Sequence, residues 1–335
     1  MANLNHPNLF TAVELTDAVN KLPVIPLRLG RLFEEKGVKT TNVVFDVKQG
    51  RLFLVENQDR SAAPKDLADR GPKRSVKILE CAHLPLTTTL RPEDVQDVRA
   101  FGQDEPVGVE SVVNDKMQEL KNPIEMTIEY HRLGAIKGVV MDADGVSELH
   151  NLYNVFGITK KAISITFPDN VPVKTNPVLK SLLDAKRHIE QKRSGLVISR
   201  FEALVGSDFY DALTGHELIR EPFELWQSNL SNYGDNDYRK RGFTYAGITF
   251  LEVSDQVGGQ PLINPAKAHL YPVAPGMFKT YYAPANWMST VNTVGRQYYA
   301  QMEELEMDRG YQLEVQSNPL CVCMFPETLV ELTAA

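Results

Sequence analysis

From Pro106 to Gly138 the apolar residues return every third or fourth position, at Val109, Val113, Met117, Leu120, Ile124 and Ile128. That spacing places them on one face of an α-helix. Glu110, Asp115, Lys116, Glu119, Lys121, Glu125 and Glu129 fall between them and are expected on a wet opposite face. Asn122-Pro123 interrupts the run. Proline has no amide hydrogen and disfavours helical geometry in the residue before it, so a break or kink is expected there. Asn122, Pro123 and Glu125 also make a restart signal of N-cap, first-turn proline and acid. At ~1.5 Å per residue the rod is about 45 Å long. That exceeds the diameter of a compact small domain and predicts an elongated subunit with a sheet lying along its spine.

At Thr41 the period changes to two. Val43, Phe45 and Val47 alternate with Asn42, Val44 and Asp46, and Lys48-Gln49-Gly50 turns the chain into Arg51 to Val55. A polar link from Gln58 to Arg74 has almost no apolar content, and the strand pattern resumes at Val76-Lys77-Ile78-Leu79 and ends near Leu86. Residues 41–90 therefore predict a two-stranded ribbon with a charged tip. A lone ribbon buries too little to be stable and becomes ordered against a partner. Before it, residues 1–40 carry a helical pattern over Phe10 to Leu22 and scattered apolar positions between Pro23 and Phe33. They predict an arm that packs on something else, such as a neighbouring subunit; an ordinary helix on its own core is the alternative.

Beyond the spine, Gly138 to Asp142 and Val146 to Tyr153 predict strands around a turn at Ala143-Asp144-Gly145. Asp142-Ala143-Asp144-Gly145 is like the start of a calcium loop, but the later ligands and closing glutamate are missing, so a plain turn is expected. Pro177 to Lys192 predicts a helix with Leu179, Leu182, Leu183 and Ile189 inside and Lys186, Arg187, Lys192 and Arg193 on its surface. Residues 196–284 predict a separate mixed α/β region. Its strands are expected at Leu196 to Phe201, Phe243 to Val253, Ala268 to Tyr271 and Phe278 to Tyr282, with one helix over Asp208 to Trp226. A polar loop, Ser228 to Arg241, ends in the cluster Arg239-Lys240-Arg241. Tyr298 to Leu332 predicts a long hairpin turned at Asp308-Arg309-Gly310, and Pro326 opens a short terminal helix carrying Leu329 and Leu332.

The chain has 335 residues, 43% of them hydrophobic, and a formal charge of -7. That charge argues against a dedicated nucleic-acid binder, whose affinity comes from cationic neutralisation of phosphates. It is compatible with enclosing DNA without gripping it. Cys81, Cys321 and Cys323 are too few for a disulfide framework and suggest a reducing compartment. No apolar run approaches the roughly 18 residues of a membrane span, and no signal peptide opens the chain; a soluble cytosolic product is expected. Phosphate-loop, dinucleotide, zinc-protease and nucleophile-elbow motifs are absent. The seven histidines, at 6, 83, 131, 150, 188, 216 and 269, lack metal-ligand spacing. Cys321 and Cys323 share a strand face and are read as small buried hydrophobes. Acid pairs such as Glu303-Glu304 and Asp235/Asp237 imply no catalysis without a pocket. No catalytic, cofactor-binding or metal residue is assigned, and no cofactor is expected.

Four groups of segments carry a resemblance. They are Leu84-Pro85-Leu86 with Val98-Arg99-Ala100-Phe101-Gly102; Arg132-Leu133-Gly134-Ala135-Ile136-Lys137-Gly138 with Met141-Asp142-Ala143-Asp144-Gly145; Tyr281-Tyr282-Ala283-Pro284-Ala285; and Asp308-Arg309-Gly310 with Gln316-Ser317-Asn318-Pro319-Leu320 and Leu329-Val330-Glu331-Leu332. In this order the chain resembles the lambda-type major capsid proteins of tailed phages, the capsid protein E family. The resemblance implies an α+β, Hong Kong 97-like phage capsid fold. Its parts would be an N-terminal arm (1–40), an extended loop (41–90), a peripheral domain (91–195) with spine helix 106–138, an axial domain (196–286) and a return to the peripheral domain (287–335).

It also implies a structural protein, not an enzyme. Copies would self-assemble into hexamers and pentamers of an icosahedral virion shell enclosing double-stranded DNA, after assembly in the host cytoplasm. Portal, scaffold and decoration proteins would be partners, with no membrane involved. Some relatives weld subunits through a lysine-asparagine bond, but Lys65 and Lys73 have no matched asparagine and acid, so a non-covalent shell is expected. A tail-tube subunit and an unfamiliar α/β enzyme are the alternatives.

Overall fold

The computed structural model describes residues 11–22, 29–48, 74–96, 109–168, 176–193, 195–230, 242–257 and 260–335. In chain order the elements begin with α1 (Ala12–Lys21), β1 (Phe33–Gly37), β2 (Asn42–Lys48), β3 (Arg74–Glu80), β4 (Leu84–Leu90) and the long helix α2 (Val109–Lys137). β5 (Val139–Met141), β6 (Glu148–Asn151), α3 (Leu152–Phe156), β7 (Lys161–Ile165) and α4 (Pro177–Lys192) follow. Then come β8 (Arg200–Val205), α5 (Ser207–Gly215), α6 (Glu217–Leu230), β9 (Phe243–Tyr245), β10 (Ile248–Glu252), β11 (Gln256–Val257) and β12 (Gln260–Pro261). The C-terminal part holds β13 (Lys267–Val273), β14 (Phe278–Tyr282), β15 (Tyr299–Glu304), β16 (Tyr311–Ser317), β17 (Pro319–Cys323) and β18 (Val330–Ala334).

Three larger sheets organise these strands. One has six strands in the order β7-β18-β13-β8-β10-β9; the others are β15-β16-β4 and β1-β14-β17. The spine α2 lies against β17, β16, β4 and β5. Val113, Met117, Ile124 and Ile128 are buried with Leu313, Val315, Leu320 and Val322, so the apolar stripe faces the sheets as its period predicts. A second core fills the other face of the six-stranded sheet, where Val178, Leu182 and Ile189 of α4 and Phe209 and Leu213 of α5 meet Ala203, Val205, Phe250 and Leu332. Helices packed on mixed, mostly antiparallel sheets make the class α+β.

Several local expectations give way to tertiary packing. Of the break or kink expected at Asn122-Pro123, the structure excludes the break, and α2 runs through both. Pro123 is exposed, and so is Glu119 four residues earlier. The carbonyl that loses its amide partner therefore faces water, while Leu120 and Ile124 pin the turns on either side. Thr127 Oγ1 donates to the Pro123 carbonyl at 2.9 Å. The helix expected over Asp208 to Trp226 is two, because His216 is extended between them and its Nδ1 accepts the Leu218 amide. The strand expected at Leu196 to Phe201 starts only at Arg200 and continues to Val205. Phe243 to Val253 is a hairpin turned at Ala246-Gly247, both with positive φ as such a turn requires. Leu152 and Tyr153 open a helix capped by Asn151.

The terminal helix expected after Pro326 is one 3-10 turn, followed by β18, which slots between β7 and β13. Val330 and Leu332 point into the second core there, so a step that looked helical is a strand alternation. At the other end α1 lies on its own chain's β15 and α2, with Leu15 and Val19 buried. That is the second of the two alternatives for this helix. The ribbon ends at Glu80, and β4 belongs to the sheet of β15 and β16. Gln49 to Lys73 and the cluster Arg239-Lys240-Arg241 lie outside the described residues.

Candidate assembly surface and the network behind it

Two positions expected in water are the most buried charges of the spine. Lys121 and Glu125 sit next to Leu120 and Ile124, just off the apolar stripe, and are 0% and 1% exposed. Their side chains pair at 3.5 Å. Lys121 Nζ donates to the carbonyls of Val19 at 3.1 Å and Leu22 at 2.8 Å. These belong to the C-terminal end of α1, where helix carbonyls have no intrahelical partner. The ammonium lies 4.9 Å from the Tyr298 ring centre, and Tyr298 Oη donates to Glu125 at 3.2 Å. Glu129, also expected in water, accepts the Leu29 amide at 2.7 Å. An i,i+4 Lys–Glu pair flanking the stripe was the sequence signal available. Without a partner helix to point to, it reads like any solvated pair.

Arg132 ties the spine to the N-terminal segment. Its guanidinium donates to Glu35 at 2.7 Å, lies 3.8 Å from Glu129, and stacks over the Phe33 ring. Gly134, one turn from the helix end, meets β5 so closely that an added Cβ would stand 2.8 Å from the Val140 Cα. Three of the segments singled out in the sequence converge nearby. Ser317 and Gln316 pair with Leu84 and Pro85. Asn318 Nδ2 donates to the Pro284 carbonyl at 3.0 Å, and the Asn318 carbonyl accepts the Ala283 amide at 2.9 Å. Asn318 Oδ1 bonds His83 Nδ1 at 2.7 Å, and Ser317 Oγ donates to the Gln297 carbonyl at 2.6 Å. Gln316, Ser317 and Asn318 are all buried, so these polar residues lock a junction between strands. Val98 to Gly102 lies outside the described residues.

The ribbon is different. β2 and β3 pair antiparallel with Val43 opposite Leu79 and Val44 opposite Ile78. Val43, Phe45 and Leu79 face the chain's own core, where the Phe45 ring meets Tyr281 edge-on at 5.7 Å. The pair on the other face stays in water, Val44 60% and Ile78 62% exposed. At the base, the His150 Nε2–H donates to the Glu80 carbonyl at 2.8 Å and holds the root of the ribbon. One face is finished and the other is not.

Among the described residues no three His, Cys, Asp or Glu side chains stand together as metal ligands. Cys321 and Cys323 are buried in β17, and burial pushes both thiols up to about 12, away from reactive thiolates. Asp144 closes its turn by accepting the Val146 and Ser147 amides at 2.8 Å. Lys186 donates to the Ala246 carbonyl, Arg187 pairs with Asp184 and Lys192 with Glu327, so three of the four basic residues expected on the surface of α4 have local partners. No helix among the described residues is long and apolar enough to cross a membrane.

The major capsid protein of Salmonella phage Felix O1 is 25% identical to this chain, covering 96% of each. That of Pseudomonas phage KPP10 is also 25% identical, covering 98% of this chain and 99% of its own. A crystal structure of a putative capsid protein of an Escherichia coli CFT073 prophage superimposes with a TM-score of 0.56 at 14% identity, over 97% of this chain and 99% of that one. The fold is accordingly Hong Kong 97-like. The model of the phage major capsid protein E family matches residues 11–334, and the chain belongs to that family.

Proposed function

We propose that this chain is the repeating subunit of a tailed-phage head. Copies close into hexamers and pentamers of an icosahedral shell that holds double-stranded DNA. The family match over residues 11–334 carries the reading. The outward Val44–Ile78 pair supports it, because an apolar pair on a marginal ribbon is stabilised by a second surface. Each contact is modest, and closure of the lattice multiplies it. Residues 196–286 would form the axial part, and 91–195 with 287–335 the peripheral part. β4 joins the latter through its pairing with β16. The net charge of -7 suits a container whose wall does not bind DNA tightly. Assembly in the host cytoplasm with separate scaffold, portal and decoration proteins completes the proposal.

Electron microscopy of the purified protein, alone and with a scaffold, tests it. Closed shells are expected; tubes, or monomers at every concentration, would overturn it. Removing residues 58–74 should leave a folded subunit that forms no shells. Boiled particles should run as monomers on a denaturing gel, whereas ladders would show covalent welding.

A further inference from the structure

Where the six-stranded sheet meets the C-terminal end of the spine, the chain gathers more positive charge than it neutralises. β13 and β18 pair so that His269 stands opposite Glu331 and Lys267 opposite Thr333. Ala268, Leu270, Val330 and Leu332 belong to the helix-covered core. Alternate residues of a strand point to opposite faces, so Lys267, His269 and Glu331 share the other side. Lys160 precedes β7 by one residue, and Lys137 is the last residue of α2. Lys160 Nζ lies 2.6 Å from one Glu331 oxygen and Lys267 Nζ 2.9 Å from the other. Lys137 Nζ donates to the Leu262 carbonyl at 2.6 Å. Among the described residues these three ammonium groups therefore share a single carboxylate, Glu331.

His269 adds no charge: burial, then Lys137, push its imidazole down to about 3, so it is neutral at pH 7. His269 is 7% exposed, and its ring makes no hydrogen bond among the described residues. Burial, then Lys160, hold the Lys137 ammonium below the usual lysine range. Lys160 and Lys267 are 38% and 36% exposed, so the cluster opens to solvent. Among the described residues two of the positive charges have no carboxylate of their own, and the imidazole has no hydrogen-bond partner.

We propose that this cluster binds a phosphate group, held by Lys137, Lys160 and Lys267 with the His269 ring N–H as a further donor. Lysines bind phosphate as point charges, and a phosphate dianion balances the surplus of two. A neighbouring copy's carboxylate would balance only one. The proposal rests on charge and register alone and stands apart from the assembly reading.

The test is thermal unfolding of the dispersed full-length protein in inorganic phosphate against chloride of equal ionic strength. Phosphate should raise Tm saturably, as a ligand of the folded state does, and broaden its own ³¹P resonance. Lys160→Gln and Lys267→Gln should each weaken binding about tenfold, the size of one lost ionic contact. Glu331→Gln removes the competing carboxylate and should tighten it. A duplex oligonucleotide that displaces phosphate would identify DNA as the source of the group; failure to displace it would identify free phosphate. Equal Tm in the two salts with no ³¹P broadening would overturn the site, as would lysine variants that bind like the parent. Acetate binding as tightly as phosphate would assign the cluster to a neighbour's carboxylate and equally overturn it.

Discussion

The ribbon and the middle of the spine place the same kinds of residue in opposite ways. On the ribbon two aliphatic side chains, Val44 and Ile78, face water side by side. In the spine a lysine and a glutamate are shut away from it. The spine pair is complete within one chain, since Lys121 caps the end of α1 and Glu125 accepts from Tyr298. The ribbon pair is left uncovered by the described residues of its own chain. The subunit thus treats the two regions differently: its interior is closed by its own polar network, while the ribbon buries one face in the core and leaves an apolar pair exposed on the other.

The largest effect should come from opening the interior. Lys121→Met leaves Glu125 buried without its cation and should cost about 3–5 kcal/mol, read by denaturant unfolding of dispersed subunits. Replacing both partners, Lys121→Met with Glu125→Leu, should recover most of that, because two apolar side chains leave no orphan charge. If the single and double variants are equally unstable, the pair is not what closes this region.

Acid should open it next. His131 is 1% exposed, its Nε2 has no partner among the described residues, and burial lowers its folded pKa to about 4 from 6.5. Between those values the unfolded chain binds the extra proton. The stabilisation is therefore present above pH 6.5 and is lost as pH falls towards 4, roughly 3 kcal/mol at most. His131→Met should flatten that part of the stability curve; an unchanged slope would place the acid sensitivity elsewhere.

Gly134→Ala pushes a methyl group into Val140 and should cost about 1–3 kcal/mol, seen as a lower Tm with assembly intact. The smallest effect on stability should accompany the largest on assembly. Val44→Ser with Ile78→Ser should change unfolding by no more than about 0.5 kcal/mol, yet shells should disappear from electron micrographs. Normal shells from that variant would remove the contrast between ribbon and spine.

Periodicity alone located the spine, the ribbon, α4 and the β15–β16 hairpin, because each carries its own apolar period over much of its length. It could not place Lys121 and Glu125, since a charge beside an apolar stripe looks the same in a solvated pair as in a buried one. Nor could it choose between a break and a kink at Pro123: the helix runs unbroken there, with Leu120 and Ile124 buried on both sides.

What the sequence determined by itself is the set of amphipathic elements and, through short segments spread along the chain, the family. What tertiary structure decided is which faces are closed from afar. α1 meets β15, β4 meets β16, and β18 meets β13. Hundreds of residues separate the first two pairs, and no local pattern specifies contacts of that range. They depend on a core that exists only once the C-terminal strands have threaded all three sheets.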